Sequence, residues 1–199
     1  MNSTPVTRKP QLLVIGHVTR DEVAGGLRLG GAASYAALAA ARLGVETALV
    51  TVAPAADPLL APLRAAPRLQ LHCVASDVMT TFALDYESGR RTLRLLARAR
   101  AIVDADVPEA WRAAPVAYVG PVAGECDAAL IASLGAGFVG AGLQGWLRRA
   151  DPSTGEIEPA LAVEALDPPA VQQRSCRSWI TRPCRSSPGV TPRQARSSP

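Results

Sequence analysis

The run QLLVIGHVTRDEVAGGLRLGGAASYAALAAARLG, residues 11–44, constrains the fold more than any other part of the chain. Leu12, Leu13, Val14 and Ile15 close on Gly16 and fit a strand buried on both faces, where the apolar pattern is continuous rather than alternating. The spacing then predicts a loop ending in Asp21, a second short excursion, and an alanine-rich helix over residues 32–43 that Gly44 stops. Residues 46–53 (ETALVTVA) read as a second strand, and strand, helix and strand in this order make a βαβ unit.

Two features of this unit point toward a ligand. Asp21 follows a buried strand at its carboxyl end, where open parallel sheets bind ligands, and its oxygens can accept hydrogen bonds from a polyol; a solvated loop acid explains it equally well. Gly30-Gly31 ahead of Ala32, Ala33 and Ser34 puts small residues at a helix start, where free N–H groups and the dipole favour anions or hydroxyl oxygens. The alternative is a tight turn. No GK[ST] follows and Lys9 is the only lysine, so this is not a Walker loop.

These residues carry a resemblance. Val14-Ile15-Gly16 through Asp21, Gly30-Gly31-Ala-Ala-Ser-Tyr35-Ala-Ala, and Ala41-Arg42-Leu43-Gly44 together resemble the amino-terminal half of the ribokinase-like (PfkB) carbohydrate kinases. The resemblance implies an α/β fold, a three-layer ribokinase-like parallel sheet with a small β lid, here truncated and lacking its carboxyl-terminal half. It implies that Asp21, Gly30 and Gly31 hold sugar hydroxyls, and it puts Tyr35 where many members carry the Asn of a substrate contact.

Further along, residues 54–66 are broken by Pro54, Pro58 and Pro62, and residues 68–75 (RLQLHCVA) alternate like a strand with one exposed face and put His72 on its polar phase, at the surface. Residues 81–86 and 91–96 flank Glu87-Ser88-Gly89-Arg90 and predict a hairpin, with Phe82, Leu84 and Tyr86 on one face and Leu93 and Leu95 opposite. The resemblance makes this hairpin a lid over the sugar, through which two copies can pair as a homodimer. The pattern alone equally allows an antiparallel extension of the main sheet. Thr80 and Thr81, where the hairpin begins, are placed to face a substrate.

Residues 107–114 predict a helix with Pro108 early, residues 115–120 a buried strand, and residues 124–134 a helix whose first turn carries Glu125 and Asp127. Gly135-Ala-Gly-Phe-Val-Gly140 spells GxGxxG, but a helix precedes it and a strand-like piece follows, the reverse of a dinucleotide site. The string QGWLR, with Gln144, Trp146 and Arg148, again resembles the same kinases. Trp146 reads as core, and Arg148 as either a surface cation or a phosphate neighbour.

The chain has 199 residues and a net charge of +4, but residues 171–199 hold six arginines and no acid, against 15 basic and 17 acidic residues before them. A nucleic-acid partner would therefore rest on the tail alone and is not expected. No apolar run is long enough for a membrane span and the start lacks a signal-peptide centre, so a cytoplasmic protein is expected. The cysteines form no CxxC pair and the two histidines are not spaced as ligands beside them, so no metal site is expected.

Residues 1–165 thus read as a partial ribokinase-like domain with a lid hairpin at about 80–97. Residues 166–199, rich in Arg, Ser and Pro without period, read as a disordered tail, either out-of-frame or a genuine basic arm. The family's nucleotide-binding and catalytic string, Asp-Thr-x-Gly-Ala-Gly-Asp with its last Asp as base, does not occur, so no catalytic residue is assigned here. The resemblance implies ATP and Mg²⁺ as cofactors of the full-length family and phosphorylation of a sugar or nucleoside hydroxyl. The expectation for this chain is an inactive substrate-binding half, with a non-catalytic sugar-binding or regulatory module as the alternative.

Overall fold

The computed structural model describes residues 9–85 and 92–159. The tip of the expected hairpin with Tyr86, the tail, Cys176 and Cys184 lie outside the described residues.

The core is a five-stranded, all-parallel sheet. Its strands β1 (Leu12–Ile15), β4 (Thr47–Ala53), β5 (Leu69–Ala75), β8 (Val116–Val119) and β9 (Phe138–Ala141) run in the order β5-β4-β1-β8-β9. Two apolar faces explain the unbroken hydrophobic run of β1. Leu13 and Ile15 point into a cluster with Val50, Val52, Trp111, Leu130 and Leu134, whereas Val14 points into a second with Leu49, Ala37, Leu60 and Leu63. Leu13, Ile15 and Leu49 are fully buried, which is worth about 1.5–3 kcal/mol for each such side chain.

Helix α1 (Ala32–Arg42) covers one face through Ala33, Ala37 and Ala41, whose i, i+4 spacing and small size let the helix lie close to the sheet. Gly44 ends it at φ 87°, and its N–H and that of Val45 bond back to Ala41 and Ala40, closing a Schellman motif that only glycine adopts without strain. A short helix α2 (Ala61–Ala65) completes this layer, preceded by a 3-10 turn whose Leu59 N–H is capped by the Asp57 side chain. The opposite layer holds α3 (Glu109–Arg112) and α4 (Ala128–Ser133). Both are shorter than their sequence predicts. Pro108 caps α3 instead of entering it, and the residue before Pro115 is barred from helix. In α4 Asp127 is the N-cap, while Glu125 lies outside the helix and is fully buried.

A second sheet of four strands, β3-β2-β6-β7, stands apart from the first. The expected hairpin is its β6 (Thr81–Asp85) and β7 (Thr92–Ala97), with Phe82 opposite Leu95 and Leu84 opposite Leu93; it does not extend the main sheet. The other two strands replace what the sequence presents as a loop: β2 (Thr19–Val23) and β3 (Gly26–Gly30) pair antiparallel across the two-residue connection Ala24-Gly25. Asp21 therefore sits on a strand, not in a loop. β10 (Arg148–Ala150) and β11 (Ile157–Pro159) form a ribbon that meets β7 where Leu95 N–H bonds Gly155.

His72 also differs from expectation. It is half-buried, because α3 swings Trp111 against it edge-on at 6.0 Å, so the polar phase of β5 is covered by a helix rather than by water. Trp146 packs on the core and donates from Nε1 to the Cys126 carbonyl at 2.8 Å.

Candidate functional site

A cavity of about 150 Å³ lies between the two sheets, at the carboxyl ends of β1 and β8. β2 contributes Thr19 and Asp21, which share a face because side chains alternate along a strand. Thr19 Oγ1 donates to Asp21 Oδ1 at 2.7 Å, which holds the carboxylate in one orientation. β6 and β7 add an apolar wall of Phe82, Leu84 and Leu93.

The floor is the start of α1. Gly31 and Ala32 line it, and a helix of this length leaves its first N–H groups without intrahelical partners. Gly31 has φ 94°, and a methyl there would come within 2.5 Å of the His17 carbonyl, so both conformation and space demand glycine. Gly30 does not line the cavity itself. It is the vacancy that admits Asp21, since a methyl on it would overlap the Asp21 carboxylate and approach Thr19 Oγ1 to 2.5 Å. The Ser34 hydroxyl is 2.6 and 2.8 Å from the carbonyl oxygens of Gly30 and Gly31 and ties the glycine pair to the first turn.

Tyr35 lines the cavity from α1 while largely exposed, its hydroxyl donating to the Leu29 carbonyl at 3.3 Å. From the far side come Gln144, in the 3-10 turn after β9, and Arg148 at the start of β10. With its amide oxygen facing the guanidinium, Gln144 accepts from both Arg148 terminal nitrogens, one at 3.0 Å. The cavity thus combines one carboxylate, one guanidinium, a hydroxyl pair and an apolar wall, a lining suited to a small molecule with several hydroxyl groups.

Asp21, Gly31, Tyr35, Gln144 and Arg148, distributed over 128 positions of sequence, meet on this cavity. Thr81 does not join them: it is buried and its hydroxyl is spent on the Met79 carbonyl at 2.9 Å. Thr19 and the wall residue Val122 are the lining residues that the sequence did not single out. Thr19 becomes legible once Ala24-Gly25, followed by Gly26, is read as a hairpin turn, because a strand there places Thr19 beside Asp21.

The same architecture occurs in solved kinases. A pyrophosphate-dependent kinase in the ribokinase family, complexed with a pyrophosphate analogue and myo-inositol, matches at a TM-score of 0.62 and 22% identity over 74% of this chain and 54% of its own. A sulfate complex of a pyrophosphate-dependent kinase in the ribokinase family gives 0.62 and 21% over 74% and 55%. A pyrophosphate-dependent myo-inositol-1 kinase converted into a myo-inositol-3 kinase by two substitutions gives 0.60 and 24% over 72% and 51%. The chain spans about half the length of these structures and shares the ribokinase-like fold with them over that part. No protein-family model and no curated protein matches it.

Proposed function

We propose that this chain is the acceptor-binding half of a phosphotransferase acting on a hydroxyl of a small polyol, a sugar, nucleoside or cyclitol. The observation that carries this reading is the convergence of Asp21, Gly31, Tyr35, Gln144 and Arg148 on one cavity between the parallel sheet and the lid sheet. Asp21 accepts hydrogen bonds from one or two substrate hydroxyls, and Gly31 lets the ring approach the first N–H groups of α1. Phe82, Leu84 and Leu93 cover the ring's apolar face.

The resemblance implies ATP with Mg²⁺ as phosphoryl donor, and the solved kinases named above use pyrophosphate. The residues present do not fit the Mg²⁺ ion. Among the described residues no three His, Cys, Asp or Glu side chains gather to hold a metal ion, and the cavity carries one carboxylate. The chain by itself binds the acceptor and transfers nothing, as a cytoplasmic protein whose lid sheet can pair two copies through its exposed edge strand β3.

Calorimetric titration with myo-inositol, ribose and adenosine tests the reading. Saturable binding of at least one of them, weakened by Asp21→Ala, is the expected result, with no phosphorylated product when ATP–Mg²⁺ or pyrophosphate is added. Absence of binding by all three would reject it. A purely sugar-binding module makes the same binding prediction. Phosphoryl transfer after a carboxyl-terminal half is supplied in trans separates the two.

A further inference from the structure

Four crossings carry the chain between the five-stranded and four-stranded sheets, and all four pass one residue, His17. It lies in the β1–β2 crossing and is fully buried. Its backbone N–H donates to Glu125 Oε1 at 2.9 Å. Its Nε2 is 3.0 Å from the Arg100 carbonyl, in the crossing that leaves β7, and its Nδ1 is 2.8 Å from Thr80 Oγ1, in the crossing that enters β6. Its own carbonyl is the atom that excludes a side chain at Gly31, in the crossing from β3 to α1.

The protons of this cluster have one consistent arrangement. The Arg100 carbonyl can only accept, so Nε2 carries the proton of the neutral ring, and Nδ1 then accepts from Thr80 Oγ1, which itself accepts from the Ala99 N–H at 3.1 Å. Glu125, also fully buried, accepts in addition from Val122 and Ala123 N–H groups at 2.8–3.0 Å, while its carbonyl takes the Ile102 N–H. A buried network with every member satisfied is rigid and specifies one geometry. Burial lowers the histidine's proton affinity, Glu125 and the Arg100 carbonyl raise it, the Arg98 and Arg100 guanidinium charges lower it, and the net direction is downward, in keeping with a neutral ring.

We propose that His17 is a positioning residue which, through Thr80 and Glu125, fixes the angle of the four-stranded sheet over the cavity and with it the place of Asp21. Thr19 and Asp21 lie two and four residues beyond His17 on β2, and Arg20 N–H bonds the Thr80 carbonyl, so β2 and β6 leave the cluster together. The lid angle is a property of the free chain; only its consequence for ligand binding rests on the polyol reading.

The test attaches spin labels through bioorthogonal side chains at the exposed positions 27, on β3, and 43, at the end of α1, and measures their distance by pulsed paramagnetic resonance in the full chain. A single narrow distribution is expected for the parent and for Thr80→Ser, which keeps the hydroxyl, and a broadened or displaced one for Thr80→Val with circular dichroism unchanged. Indistinguishable distributions for Thr80→Val and the parent would overturn the proposal. Should Thr80→Val fail to fold, ¹⁵N spectra of the parent imidazole decide: an Nε2-protonated tautomer supports the network, and a protonated Nδ1 at neutral pH refutes it. A second readout is myo-inositol affinity, weakened in Thr80→Val and restored in Thr80→Ser. If the parent does not bind myo-inositol, the polyol reading loses that probe, while the distance measurement still judges His17.

Discussion

Replacing Gly30 by alanine adds one methyl group and isolates the relation between the glycine pair and Asp21. Gly30 is absent from the positive-φ residues, so alanine is tolerated by the backbone and only the new methyl acts. That methyl would stand 2.5 Å from both Asp21 Cγ and Thr19 Oγ1 and closer still to Oδ2. Ordinary contact needs about 3.5 Å, so the carboxylate must move by roughly 1 Å, and it takes Thr19 with it because the two are hydrogen-bonded at 2.7 Å. If the chain absorbs the methyl by overpacking, the fold loses about 1–3 kcal/mol. If Asp21 rotates away, the fold keeps its stability and the site loses charge-assisted hydrogen bonds to a hydroxyl, about 1.5–3 kcal/mol. The second outcome is favoured, since Asp21 is only half-buried and can swing toward solvent. The polyol affinity should then fall about ten- to a hundredfold with the melting midpoint little changed. Calorimetry and thermal denaturation on the same sample read both quantities. Parent-like affinity in Gly30→Ala would refute the claim that the missing side chain makes room for a binding carboxylate.

Other perturbations test the scaffold. Asp57 is buried, caps the turn before α2 by accepting from Leu59 N–H at 2.9 Å, and meets Arg20 at 2.5 Å; with the arginine a third exposed and the pair partly screened, Asp57→Ala should cost about 2 kcal/mol, lowering the midpoint by about 4–8 °C, and Asp57→Asn about half of that because the cap survives. His17 and His72 are both held below the ordinary 6.5 by burial, opposed by Glu125 and Asp106 respectively. The unfolded chain therefore binds protons that the folded one refuses. Stability is full above pH 6.5 and declines as the pH falls below it, by up to about 1.4 kcal/mol per pH unit for each histidine; denaturant midpoints that do not move between pH 7.5 and 5.5 would contradict the burial. Asp151, held at about 2 by the hydroxyl and N–H groups of Ser153 and Thr154, titrates below that window. Burial, with Glu125 and Asp127 nearby, pushes the Cys126 thiol far up. Iodoacetamide should leave it unmodified in the native chain while half-buried Cys73 reacts slowly, as mass spectrometry of the digested protein would show.

What the sequence reveals and what it hides follow from the range of the interactions involved. The βαβ unit is legible because its signals are local: a continuous apolar strand, alanines at i, i+4, a glycine at the helix end. The pairing of β6 with β7 is legible for the same reason, through the alternation of Phe82, Leu84, Leu93 and Leu95. The β2–β3 hairpin is masked by polarity. Thr19, Arg20, Asp21 and Glu22 resemble a loop because one face of that strand lines a polar cavity and the other sends Arg20 to Asp57. Glu125 reads as the acid of a helix's first turn, yet its partner His17 N–H lies 108 residues away, and no spacing rule reaches that far. His72 is misplaced because the phase of a strand names the side on which a residue points and not what a later helix lays over it.

The same contrast explains where the site lies. A parallel sheet presents the carboxyl ends of its strands on one edge, and β1 and β5 leave from that edge directly into the second sheet, while the returns to β4 and β8 run back through α1 and α3 to the opposite edge. Here Gly16, Gly31, Thr80 and Ala99 mark those passages, and the shortest of them, from β1 to β2, contains only three residues, Gly16, His17 and Val18. Three residues give β2 little freedom to tilt, and Val18 N–H is bonded to Thr51 of β4 while His17 N–H is bonded to Glu125. Asp21 is therefore carried on a strand whose first turn away from the core is anchored on both sides. A carboxylate at the end of a long loop would have to be ordered by its ligand at an entropic cost; this one is ordered by the fold before any ligand arrives. The prediction that distinguishes the two is a binding entropy for polyols that is little altered by Thr80→Ser and made more unfavourable by Thr80→Val, measured calorimetrically at one temperature. Equal entropies in all three chains would mean that the anchoring at His17 does not preorganise Asp21.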